Sequence, residues 1–229
     1  MALAGIDFSA KRDFMAHSAV LFDFNGTLFW DSEYQENSWI EYLDIHQISL
    51  TREEIDTYIH GRNAKDTFEY IFKREFSREE IHQLVEEKEV LYRKECLKNG
   101  MELAPGALDF FRYLKERGMP MAIATASGRT NVRFFIEQFD LLEYFREEHI
   151  IYDDGFVRGK PHPDLFLKAI DALSVRPEGV TIFEDSVSGI EAAKRSNVKN
   201  VVLIDPFGRN NDSTVIGTAD FRSFDRNLL

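Results

Sequence analysis

Asp23 opens the segment Asp23-Phe24-Asn25-Gly26-Thr27-Leu28, directly after the apolar run Ala19-Val20-Leu21-Phe22. A carboxylate at the end of a buried strand, followed by a glycine turn, sits at the edge where an α/β sheet binds its ligands. Taken alone, the segment reads equally well as a local turn, since Asp-x-Asn-Gly favours one. Thr125-Ala126-Ser127-Gly128 follows a second apolar run. Its hydroxyl and backbone amides suit phosphoryl oxygens, and suit a helix cap as well. In Gly159-Lys160-Pro161-His162-Pro163-Asp164, an ammonium lies just before a proline-initiated helix. Glu184-Asp185-Ser186 places two adjacent carboxylates after another apolar run. Such an oxygen-donor pair suits Mg²⁺, and Asp185 or Ser186 would also serve as a helix N-cap.

The elements that must position these groups are legible around them. Four short apolar runs end in a carboxylate or hydroxyl: Ala19-Val20-Leu21-Phe22, Met121-Ala122-Ile123-Ala124, Val180-Thr181-Ile182-Phe183 and Val201-Val202-Leu203-Ile204. Continuous rather than alternating hydrophobicity predicts strands buried on both faces of a parallel sheet. His149-Ile150-Ile151-Tyr152 is a weaker fifth strand. Helical spacing lies between them. Leu108, Phe111 and Leu114 precede the stop at Gly118; Val132, Phe135, Ile136 and Phe139 follow Thr130. After Pro163 come Leu165, Phe166, Ala169, Ile170 and Leu173, and residues 189–196 read as a further helix. Alternating strands and helices predict an α/β fold with a doubly wound, Rossmann-like parallel sheet.

Residues 33–98 break the alternation. They contain no convincing strand, but Trp39, Leu43 and Ile45, then Ile55 and Ile59, then Phe68, Ile71 and Phe72, then Ile81, Leu84, Val85 and Val90 recur at helical spacing. Thr51-Arg52-Glu53-Glu54 and Ser77-Arg78-Glu79-Glu80 both match the capping box. An all-α insertion is expected here. The core is then residues 1–32, with 1–17 as a leader, and residues 99–229. The polar tail after Gly208 carries no clear signal.

The 229 residues suit one domain with a smaller one inserted. Twenty Phe, eight Tyr and two Trp supply enough apolar surface to exclude disorder as the main state. A net charge of −12 argues against nonspecific binding to nucleic acid or anionic lipid. The single cysteine, Cys96, excludes an internal disulfide and a cysteine metal cluster. No apolar run has the length of a membrane span, and the N-terminus lacks a secretory pattern. A cytoplasmic monomer is expected.

In this order, each beside a strand end or helix start, the four segments resemble the motifs of the haloacid dehalogenase superfamily: a strand-end aspartate, a Ser or Thr, a Lys and an acidic pair. The likeness runs from Ala19 to Asp205, with the helical insertion where that family carries its small cap. Gly159-Lys160-Pro161-His162-Pro163-Asp164 and Phe183-Glu184-Asp185-Ser186-Val187-Ser188-Gly189-Ile190 look most like the β-phosphoglucomutase and small-molecule phosphatase branch. The resemblance implies a Mg²⁺-dependent phosphohydrolase acting on a small phosphorylated metabolite. Asp23 would be the nucleophile and Lys160 the neutralising cation. Thr125 and the Ala126 amide would hold phosphoryl oxygens, with Gly26, Thr27 and Ser127 lining the same site. The metal would be held by Asp23, the Asn25 carbonyl and Asp185, with Glu184 supporting that shell. Arg62 and Asn63, in the cap loop, would face the substrate, and a guanidinium fork there hints at a sugar phosphate. Hinges are expected near residues 30–32 and 104–106.

One position departs from the family pattern. Its phosphatases carry a second aspartate two residues after the nucleophile, which protonates the leaving oxygen and then activates water. This chain has Asn25. Loss of general acid–base help typically costs ~10²–10⁴ in rate. Three accounts stand side by side: a substrate needing little help, or another acid such as His60 or Glu33; a replacement that stalls an ordinary phosphatase; or a phosphate-binding relative without turnover. Deamidation of the Asn25-Gly26 pair would add a fraction of molecules with an acid there. Phosphonatase-like cleavage would need a cap lysine, for which Lys65 is the candidate, although pairing with solvent or Asp66 is the plainer expectation. Tyr34-Gln35-Glu36-Asn37 lacks the histidine of the mutase branch, which favours hydrolysis over phosphoglucomutase-type transfer. Dehalogenation would leave the acidic pair without a use.

Overall fold

The computed structural model describes residues 18–59, 64–208 and 212–229. The leader, and the loop residues His60, Gly61, Arg62 and Asn63, lie outside the described residues. Within them, β1 (Ala19–Phe22), β2 (Met121–Gly128), β3 (Ile150–Asp153), β4 (Val180–Glu184), β5 (Asn200–Ile204) and β6 (Ile216–Thr218) form one sheet in the order β3-β2-β1-β4-β5-β6. Every pairing is parallel. The chain order reverses between β1 and β4, and a crevice opens beyond the carboxyl ends of two such strands. Asp23 follows β1, and Glu184 ends β4.

Successive side chains of β1 serve opposite faces, as the strand period requires. Val20 and Phe22 enter a core that includes Phe110, Phe111 and Leu114 of α5 (Ala107–Glu116) and Val132 and Phe135 of α6 (Arg129–Gln138). Ala19 and Leu21 enter a second core with Leu165, Phe166, Ala169 and Ile170 of α7 (Asp164–Leu173) and Ala192 and Ala193 of α8 (Val187–Arg195). Helices therefore cover both faces, and the buried strands need continuous apolar runs.

The insertion between β1 and β2 begins with α1 (Ser32–Ile45), α2 (Arg52–Tyr58), α3 (Ala64–Phe72) and α4 (Arg78–Asn99), with α5 returning to the sheet. Tyr42, Leu43, Ile59, Phe68 and Ile71 give it an apolar core of its own. Both capping boxes form: Thr51 and Glu54 cap α2 reciprocally, as Ser77 and Glu80 cap α4. Each replaces two helix-end donors' lost partners. Among the described residues, no helix is long and apolar enough to cross a membrane.

Several sequence expectations need adjustment. Leu108, Ile45 and Val90 share the helical spacing of their neighbours yet face solvent; Ala107 and Phe110 fill the α5 interface instead of Leu108. Pro163 occupies the N-cap position of α7 rather than its first turn. The second strand does not stop at Ala124; it runs to Gly128 with a register shift after Ala124. The tail holds a sixth strand, β6, added to the edge beside β5. Three residues are too few for an alternation signal.

Phe22 is fully buried, with its ring 5.4–6.2 Å from those of Phe110, Phe111, Phe145, Phe183 and Phe221. Removing it leaves a cavity that five rings cannot all fill. Phe22→Ala is expected to lower unfolding free energy by about 3–5 kcal/mol, measured by urea titration.

Candidate active site

The site is built from four segments at the carboxyl edge of the sheet. The Asp23 amide donates to the Phe183 carbonyl at 2.9 Å, which fixes the first loop against β4. Lys160 reaches in from the segment before α7, its Nζ 2.5 Å from both Asp23 Oδ1 and Glu184 Oε1. Its ammonium also lies 5.0 Å from the Phe166 ring centroid. Glu184 is fully buried, and its other oxygen accepts from the Ser186 amide at 2.6 Å and the Ser186 hydroxyl at 3.0 Å. Asp185 accepts from Thr27 Oγ1 at 3.2 Å.

Two glycines make this crowding sterically possible. Gly26 has φ of +83°, and a Cβ there would lie 2.1 Å from Asp185 Oδ2. A Cβ on Gly189 would lie 1.7 Å from Glu184 Oε1. Both positions exclude a side chain by sterics, and Gly26 also by its backbone conformation.

Oxygens of Asp23, Glu184 and Asp185 lie within 4.8 Å of one another. Burial pushes the Asp23 carboxyl up to about 7, with Glu184 adding to the rise and Lys160 opposing it. Burial likewise pushes Asp185 up to about 8, reinforced by Glu184 and Asp23. Burial works against the charge of Lys160, but Asp23 and Glu184 outweigh it and hold the ammonium above the usual lysine range. When all three acids are ionised, one ammonium leaves two negative charges. A hard oxygen-donor set with that residual charge fits a small divalent cation.

The second loop adjoins the first. Thr125 is buried and its Oγ1 accepts from the Ser127 amide at 3.1 Å; Ala126 is exposed. Ser127 Oγ donates to Asn25 Oδ1 at 2.7 Å. The structure thus brings together Asp23, Gly26, Thr27, Lys160, Glu184 and Asp185, with Asn25, Ser127 and Thr125 beside them. Arg62, Asn63 and His60 fall outside the described residues. Glu33 is exposed. Lys65 is exposed to solvent too, with its Nζ 3.7 Å from Glu69. Asp31 and Tyr92 were not singled out by sequence. They meet at 2.7 Å next to Asn25, although 61 positions apart. No local pattern joins them.

A sequence model of the haloacid dehalogenase-like hydrolases matches residues 20–203. A solved hydrolase of that kind, family IA variant 3 from Entamoeba histolytica, is 34% identical with a TM-score of 0.85, covering 92% of this chain and 96% of its own. The phosphorylated carbohydrates phosphatase of Thermotoga maritima is 29% identical, covering 80% of this chain and 83% of the relative. The β-phosphoglucomutase of Clostridium difficile, 20% identical with a TM-score of 0.75 over 92% of this chain and 94% of its own, shares the fold. The chain belongs to the haloacid dehalogenase-like hydrolases. It is an enzyme of that family's phosphatase kind.

The raised carboxyl pKa values set a pH dependence. Asp185 binds a proton more tightly folded than unfolded, so its contribution to stability is present at low pH and is lost as pH rises through about 8. Asp185→Asn removes that loss. Without divalent metal, its melting midpoint relative to the unchanged protein is expected to climb from pH 5 to pH 8.5. Added Mg²⁺ should shrink the gap by stabilising only the unchanged site. Melting curves with EDTA and with Mg²⁺ measure both effects.

Proposed function

We propose that the protein hydrolyses a small phosphate monoester through an aspartyl phosphate on Asp23. A sugar phosphate is the best-matched substrate class. The observation that carries this reading is the Asp23 carboxylate, held by Lys160 at the sheet's switch point beside an acidic pair. The relative from Thermotoga maritima, whose name specifies phosphorylated carbohydrates, supports the substrate class.

In the first step an Asp23 oxygen bonds to phosphorus and the bond to the leaving oxygen breaks. In the second, water attacks phosphorus, the bond from phosphorus to the Asp23 oxygen breaks, and phosphate leaves with the carboxylate restored; the proton the water gives up balances the one the departed oxygen takes. Lys160 neutralises charge between Asp23 and the incoming dianion, which would otherwise repel each other. Thr125, the Ala126 amide and Ser127 receive phosphoryl oxygens, with Gly26 and Thr27 shaping the first loop. Asp23, the Asn25 carbonyl and Asp185, with support from Glu184, would hold Mg²⁺, which would supply further charge neutralisation there. The Asn25 amide is not acidic enough to protonate a leaving group, so substrates with weakly basic leaving oxygens are favoured. Residues 33–98 act as a cap that excludes bulk water, hinging near residues 30–32 and 104–106.

The replacement at Asn25 is the observation that favours the second reading, a phosphate-ligand binder without turnover. One experiment separates the two. The protein is assayed with an aryl phosphate and a panel of sugar phosphates, with Mg²⁺ and with EDTA. Turnover should require Mg²⁺ and fall by at least roughly 10³-fold in Asp23→Asn. Equal turnover in Asp23→Asn would overturn the mechanism, and silence on every substrate would favour the binder.

A further inference from the structure

Asn25 is gripped from three directions. Its Nδ2 donates to Asp31 Oδ2 at 2.7 Å and lies 3.3 Å from Tyr92 Oη; its Oδ1 accepts from Ser127 Oγ at 2.7 Å. Asp31 is only 3% exposed. The same Oδ2 also accepts from Tyr92 Oη at 2.7 Å and from Gln35 Nε2 at 3.2 Å. Behind Gln35 stands a buried cation, Lys88, which donates to Gln35 Oε1 and pairs with Glu89 at 3.1 Å. Three donors therefore converge on one buried carboxylate oxygen.

An ionised carboxylate only accepts hydrogen bonds, so whatever faces it must donate. An amide at position 25 does so. A carboxylate there would set acceptor against acceptor where water cannot easily intervene, and an unsatisfied buried polar group typically costs about 1–3 kcal/mol. The polarity also sets the orientation of Asn25. With Nδ2 committed to Asp31, Oδ1 is the end left for Ser127. The Ser127 amide in turn donates to Thr125 Oγ1. A continuous chain thus runs from Asp31 through Asn25 and Ser127 to Thr125, joining the first loop to the second.

We propose that Asp31 is a positioning residue: its buried acceptor oxygen makes position 25 an amide site and, through Asn25, orients the Ser127 loop. Its catalytic meaning rests on the phosphatase reading above, while the hydrogen-bond polarity stands independently of it. Restoring an acid at position 25 therefore takes a reciprocal change at position 31. Asn25→Asp alone lacks a donor toward Asp31. In the double variant Asn25→Asp/Asp31→Asn the donor and acceptor trade places, and the new amide donates to the new carboxylate.

The test is a cycle of four proteins at one fixed pH: unchanged, Asn25→Asp, Asp31→Asn and the double variant. Melting midpoints are measured for each, together with kcat and KM for an aryl phosphate with Mg²⁺. Asn25→Asp alone should melt roughly 4–8 °C lower, and the double variant should recover most of that loss. The kcat of the double variant should exceed that of Asn25→Asp by at least about tenfold, with KM changed by less than about threefold. Additive melting shifts would overturn the proposal. So would coupled melting with equal kcat in Asn25→Asp and the double variant, because a packing role alone predicts that pattern. If none of the four turns over substrate, the phosphatase reading fails. The melting cycle then decides the polarity alone, coupling sustaining it and additivity removing it.

Discussion

Three carboxylates crowd the sheet edge, and Lys160 is the residue that lets them. Two like charges about 4 Å apart repel by roughly 4 kcal/mol at an effective dielectric of ~20. When ionised, Asp23, Glu184 and Asp185 form three like-charge pairs with oxygens within 4.8 Å of one another. Lys160 offsets part of this by lying between Asp23 and Glu184. The remaining charge makes the site receptive to a dication and lets Asp23 meet a phosphate dianion. The missing Cβ atoms of Gly26 and Gly189 belong to the same arrangement, since they clear the space that Asp185 and Glu184 occupy.

The sheet delivers these groups because β1 and β4 are neighbours although more than 150 positions separate them. Phe22 pairs with Phe183, so Asp23 and Glu184 emerge side by side. The rings of those two residues stack 5.5 Å apart within the aromatic core. The site thus stands directly on the most densely aromatic part of the molecule. A shift of β1 by one residue would turn Asp23 away from Lys160 and move Phe22 to the opposite face.

Much of this was legible in the sequence for a physical reason. A parallel strand buried on both faces must be continuously apolar, and the polar residue that ends it lies at the ligand edge. Asp23, Thr125 and the Glu184-Asp185 pair could be found that way, and the capping boxes of α2 and α4 were visible in local spacing. Asp31, Tyr92, Gln35 and Lys88 were not. Their hydrogen bonds join α1 and its preceding turn to α4, and no periodicity encodes an association across such a separation. Position 25 shows the limit most clearly. The sequence displays an amide where the family resemblance implies an acid, but the acceptor that suits an amide becomes visible only in three dimensions. Leu108 and Val90 illustrate the converse, because spacing alone cannot say which edge of an apolar stripe is covered.

The two ends of α4 belong to different interiors. Ile81, Leu84 and Val85 pack with the core of the insertion, whereas Tyr92 and Cys96 are buried in the aromatic core that also holds Phe22 and Phe135. The helix has 22 residues and is therefore about 33 Å long. Each residue along it advances the facing direction by about 100°. The number of residues between Val85 and Tyr92 therefore acts as a phase setting between two packed bodies. One helix transmits rotation as a shaft does, so the insertion cannot turn about the α4 axis without turning Tyr92 beside Asp31.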